Sequence, residues 1–74
     1  MSIDDVAIGE RMRKARTAGR RVTQAEAGAM LNPPVSATTV GRMESGKHPP
    51  RPSTLAQWSK LFNTTPDDLL GWYE

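Results

Sequence analysis

Few side chains in this sequence can do covalent or metal chemistry. It holds one histidine, His48, and no cysteine. No motif pairs a nucleophile with a base, and no glycine-rich loop is built to cradle phosphate. His48 stands beside Pro49 and Pro50, the ordinary setting of an exposed loop histidine. A lone histidine among scattered carboxylates has no metal-ligand spacing, so neither catalysis nor a metal or cofactor is expected. What remains is binding chemistry, and arginine and lysine carry it. Nine of the ten lie between residues 9 and 51, where the only acidic residues are Glu10, Glu26 and Glu44, while Asp4, Asp5, Asp67, Asp68 and Glu74 sit near the ends. This basic middle reads either as a footprint for a polyanion, most simply nucleic acid, or as a solvated helix face. Charge alone weighs the two equally.

The stretch "VSATTVGRMESGK", Val35 to Lys47, raises the same question in more detail. At helical spacing Val40 and Met43 share a side with Val35 and Ser36, while Ala37, Thr38, Gly41, Arg42 and Ser45 cluster opposite. An ordinary solvent face carries Glu, Lys and Gln. This one is small and nearly uncharged around a single arginine. Gly41 either lets the helix backbone approach a partner closely or is a surface position without a role.

At 74 residues the chain is one domain, with a core small enough that oligomerisation or a partner would help its stability. The absence of cysteine excludes disulfides and thiolate zinc sites and is consistent with a reducing cytoplasm. No apolar run approaches bilayer length, and Asp4 and Asp5 replace the basic start of a signal peptide. A soluble, unexported, cytoplasmic protein without membrane contact is expected.

Five short helices must position these residues. Ile8, Met12 and Ala15 fall at i, i+4 and i+7 in a first helix from about Asp4 to Ala18, stopping before Gly19. "TQAE" from Thr23 is a capping box that starts a second, with Ala27, Met30 and Leu31 facing inward. Asn32 is suited to the left-handed conformation that ends it, and Pro33 and Pro34 cannot continue a helix. Ser36 is the N-cap of a third helix, ending at Gly46. After the proline-stiffened link "KHPPRP", Leu55, Trp58, Leu61 and Phe62 give a fourth helix its apolar stripe. "TPDD" then starts a fifth through Leu69 and Leu70, with Thr65 as cap and Pro66 at the first helical position. No segment alternates like a strand, so the fold class is all-α, a compact five-helix bundle.

The second and third helices, about residues 23–46, form a helix-turn-helix, with Gly28 making room for the turn-back. With "IGERM" and Arg16 before them, and "TLAQWSKLF" and "TPDDLL" after, they resemble the Cro/repressor type of helix-turn-helix domain, also called the xenobiotic-response-element type. The likeness covers nearly the whole chain, from about Ile8 to Leu70, and it rests on the order of motifs. Two loops depart from the pattern. Pro33 and Pro34 lengthen the turn by two residues, and Arg20 and Arg21 lengthen the first link by one; added loop length costs little.

The resemblance implies a lambda-repressor-like DNA-binding domain in which the third helix, residues 36–45, lies in the major groove of double-stranded DNA. Ala37, Thr38, Gly41 and Arg42 are then the base-reading positions. A guanidinium fork suits guanine, and Ala37 and the Thr38 methyl suit a thymine methyl. Gln24 matches the family's phosphate-binding glutamine, with Thr39, Ser45 and Lys47 in the same role and His48, Arg51, Arg20 and Arg21 as further phosphate contacts. Arg16 and Glu44 match its structural ion pair.

In the tail "LLGWYE", Leu70, Trp72 and Tyr73 either fold back over the fourth helix or pack against a second copy. The resemblance favours a homodimer, dimerised through about residues 64–74, on a palindromic operator. The implied function is transcriptional regulation, in the first place repression by operator occupancy, without a small-molecule ligand. The alternative is a protein-interaction module, such as an antitoxin or adaptor, built on the same fold.

Overall fold

Residues 4–71 are described by the computed structural model, and they form five helices with no strand among the described residues. Helix α1 spans Asp5–Ala18, α2 Gln24–Met30, α3 Ala37–Ser45, α4 Pro52–Leu61 and α5 Pro66–Leu70. Four of them start at a side chain that accepts otherwise unpaired backbone N–H groups. Asp4 accepts from the Val6 N–H at 3.0 Å, Thr23 from Glu26 at 3.1 Å, Ser36 from Thr39 at 3.2 Å and Thr65 from Asp68 at 3.1 Å. At α2 the box closes, because the Thr23 N–H donates to Glu26 Oε1 at 2.9 Å. That bond, with the one from the Thr23 side chain, holds the Glu26 carboxyl below its ordinary pKa. Helix α4 instead begins with Pro52 at its first position and no side-chain cap, so this residue belongs to the helix and not to the preceding link.

Two expectations for the end of α2 are corrected. Asn32 is not left-handed; the helix ends at Met30 and Leu31 is already extended. The reason is packing. In the extended conformation Leu31 turns into the core while its N–H, and that of Val35, both donate to the Gly28 carbonyl. Met30, expected inward, is only half-buried at the last position of the helix, and Leu31 takes the core position beside it. The Asn32–Pro33 peptide bond is cis. In the first link the left-handed residue is Arg21, at φ 56°, which lets the additional residue turn the chain toward α2.

The core gathers Ile8 and Met12 from α1, Ala27 and Leu31 around α2, Val40 and Met43 from α3, Leu55, Trp58 and Phe62 around α4, and Leu69 from α5. Trp58 is fully buried, and its indole N–H donates to the Met12 carbonyl at 3.0 Å, so its one polar atom is satisfied. Phe62 packs beside it with ring centroids 4.8 Å apart. Helices α2 and α3 pack on each other, α1 packs on α3 and α5, and α5 on α4. No helix is long and apolar enough to cross a membrane.

Two backbone approaches require glycine. A β-carbon on Gly9 would overlap the Glu44 carbonyl where α1 crosses α3, and one on Gly28 would overlap the Val35 carbonyl. In an exposed helix interior, Gly→Ala stabilises by about 1 kcal/mol. At Gly9 the sign reverses: Gly9→Ala is expected to destabilise by about 1–3 kcal/mol, as overpacking does. Thermal unfolding of the two proteins checks this, and an unchanged or raised midpoint would contradict the close crossing.

Candidate nucleic-acid interface

The orientation of α3 is set from beneath by a buried charge network. Arg16, in the last turn of α1, donates through Nε to Glu44 Oε2 at 2.7 Å and through Nη2 to Glu44 Oε1 at 2.9 Å. Its remaining arm, Nη1, donates to the Val22 carbonyl at 2.7 Å. Gln24, the first residue of α2, donates through Nε2 to Glu44 Oε1 at 3.1 Å. Both charged residues are buried, with side chains 10% and 3% exposed. The hydrogen bond to Glu44 raises the Arg16 pKa, burial lowers it and the Glu44 charge raises it again, with a net upward shift. One carboxylate thus ties together α1, the first link, α2 and α3. The contacts from Val22 and Gln24 carry no signal in the sequence, because they depend on how the three helices meet.

On the outer side of α3, Thr38, Arg42 and Ser45 are exposed, while Ala37 and Gly41 are half-buried toward α2. A β-carbon at Gly41 would stand 3.4 Å from Gln24 Oε1, an ordinary contact distance. Gly41 therefore leaves the Gln24 carboxamide uncovered at the α2–α3 junction. Thr39 is half-buried, and its hydroxyl lies 3.2 Å from that of Ser36, inside the N-cap of α3. The Ser45 hydroxyl donates to the Arg42 carbonyl at 3.1 Å.

That same carbonyl also accepts from the N–H groups of Gly46, Lys47 and His48. This folds the chain sharply after α3 through a left-handed Gly46, at φ 84°. Lys47, His48 and Arg51 are exposed on the link that results, and Arg20 and Arg21 are exposed on the first link. Among the described residues the ion pair is Arg16–Glu44; Arg11 reaches the Leu69 carbonyl at 3.5 Å, and Arg20, Arg21, Arg42, Lys47 and Arg51 make no salt bridge among them. Leu70 is half-buried against its own core; Trp72 and Tyr73 lie outside the described residues. Among the described residues no group of acidic or histidine side chains could hold a metal ion.

Two short helices joined by a turn, the second presenting a small-residue face over a buried ion pair, define a helix-turn-helix domain. The chain belongs to the helix-turn-helix family of Cro/C1 type, whose model matches residues 12–69. Among solved structures it is similar to the P22 c2 repressor in complex with synthetic operator 9T in the presence of Tl+. That likeness has a TM-score of 0.75 and 32% identity, and covers 85% of this chain and 91% of the repressor chain. It is also similar in fold to the restriction-modification controller protein C.AhdI from Aeromonas hydrophila, with a TM-score of 0.76 and 23% identity, covering 89% of this chain and 91% of that one. No curated protein matches the sequence significantly.

Removing one partner of a buried pair leaves the other charge unpaired, at a cost of about 3–5 kcal/mol. Glu44→Ala is accordingly expected to lower stability by that order, with Arg16 stranded beneath α3. Chemical denaturation of the wild type and the variant measures it. A loss below about 1 kcal/mol, the range of an exposed pair, would contradict the buried geometry.

Proposed function

We propose that this chain is a sequence-specific regulator of transcription that binds double-stranded DNA and represses by occupying an operator. The observation that carries this reading is the outer face of α3. Ala37, Thr38 and Gly41 are small enough for the backbone to approach a groove floor. Arg42 projects from among them, and the buried Arg16–Glu44 pair fixes the helix below. A major groove about 12 Å wide admits such a helix, and a guanidinium bonded to guanine O6 and N7 is its commonest specific contact. The similar P22 c2 repressor was solved with a synthetic operator, which supports the same polymer as this chain's partner.

Phosphates would be held on both sides of the groove. Gln24 uses one Nε2 hydrogen on Glu44 and keeps the other, at the N-terminus of α2, for a phosphate oxygen. Lys47, His48, Arg51 and Ser45 flank the opposite side, with Arg20 and Arg21 further out. Thr39, whose hydroxyl sits in the N-cap, serves from the first turn of α3. A homodimer paired through the C-terminal segment, with Leu70, Trp72 and Tyr73, would match a palindromic site with half-sites about one helical turn apart. Such a regulator would act on DNA in the cytoplasm of a bacterial cell or phage-infected host.

Selection of bound duplexes from a random library, at near-physiological salt, tests the reading. Enrichment of a palindrome supports a dimeric regulator. Salt-sensitive binding without enrichment would sink sequence-specific regulation and favour a protein-interaction module.

On the selected site, Arg42→Ala is expected to cost about 1–3 kcal/mol and relax one base position. Lys47→Ala should weaken all sequences alike and lower the slope of log K against log salt by about one. Identical behaviour of the two variants would overturn the division between reading and positioning residues.

A further inference from the structure

The lengthened α2–α3 turn is held from outside the helix-turn-helix. Gln57, at the middle of α4, accepts the Asn32 N–H on Oε1 at 2.7 Å and donates from Nε2 to the Asn32 carbonyl at 3.0 Å. One carboxamide thereby satisfies both backbone polar groups of the residue that precedes Pro33 and Pro34. No side chain within the turn does this, and prolines cannot supply N–H groups of their own. The two bonds define the position of the turn in two dimensions, as a single hydrogen bond would not.

The clamp matters because of where the turn stands. Asn32, Pro33 and Val35 line a cleft of about 410 Å³ together with Arg42, His48, Arg51 and Gln57 itself. The turn thus borders the same space as the arginine assigned to base reading. It also leads directly into Ser36, the cap of α3, through Val35, whose N–H is bonded to the Gly28 carbonyl. A shift of Asn32 would alter the lining of the cleft directly, and the entry to α3 as far as the Val35–Gly28 bond yields.

We infer that Gln57 is a positioning residue for DNA recognition: by clamping Asn32 it fixes the inserted turn beside Arg42, and so sets the geometry in which α3 reads sequence without itself contacting a base. This inference rests on the DNA-binding reading above. Gln57→Met keeps chain length, approximate volume and helix propensity while removing both hydrogen bonds. It adds no charge, so the electrostatic attraction to phosphate is untouched.

The test compares wild type and Gln57→Met by hydrogen exchange of the Asn32 amide, by affinity for the selected duplex and by affinity for a scrambled duplex over a salt series. The expected result is loss of Asn32 protection and about tenfold weaker binding to the selected site. Affinity for the scrambled duplex and its salt slope should stay unchanged, a separation that a general loss of stability would not produce. Equal affinity for the selected site, or equal weakening on both duplexes, would overturn the inference. Should Gln57→Met fail to fold, an unprotected Asn32 amide in the wild type would overturn it, and a protected one would support it. A wild type without sequence preference is a failure of the proposed function instead; the Asn32 exchange rates still decide whether the clamp exists.

Discussion

The Glu44 carboxylate is the point on which this small domain turns. Withdrawing a charge from water carries a penalty of several kcal/mol, and here four hydrogen bonds offset it. Three reach the carboxylate, two from Arg16 and one from Gln24, and the fourth runs from Arg16 to the Val22 carbonyl. Among the described residues no buried side-chain polar atom is left without a partner. A buried pair of this kind adds little net stability compared with well-packed apolar residues, but it is directional. A guanidinium fork donates to both carboxylate oxygens in one plane, so α3 is held at one rotation over α1.

That rotation decides which residues of α3 meet solvent. With Glu44, Val40 and Met43 committed to the interior, the helix offers outward the exposed Thr38, Arg42 and Ser45 and the half-buried Ala37, Thr39 and Gly41. The backbone crossing at Gly9 serves the same end, bringing α1 close enough for Arg16 to reach across. A fully buried Trp58, bonded to the Met12 carbonyl, closes the other side of α1. In a domain with so little interior, polar contacts of known direction do part of the orienting work that a larger core would do by shape.

The helices themselves were legible in the sequence because their boundaries are local. Thr23 and Glu26, Ser36 and Thr39, Thr65 and Asp68 are each three residues apart, and each cap is made within its own segment without a tertiary contact. The apolar stripes at Ile8 and Met12, and at Leu55, Trp58 and Phe62, named the core for the same reason. The order of these signals was sufficient to suggest the family to which the chain belongs.

Tertiary structure decided what depends on residues distant in the chain. Gln57 and Asn32 are separated by 25 positions and Trp58 and Met12 by 46, and no periodicity connects either pair. The end of α2 departs from the local preference of Asn32 because Leu31 follows the core, which overrides it. Met30, inward by helical spacing, is the last residue of α2 and only half-buried, while the next residue, Leu31, leaves the helix to fill the core. By itself, then, the sequence determined where helices begin, which face of each is apolar and where positive charge gathers, since these follow from capping, period and composition. Folding alone decided that Gln24 leans on Glu44 beside Gly41, and that one α4 side chain holds the inserted turn. A side-chain hydrogen bond acts only within about 3 Å, and only the packed chain brings those groups within reach.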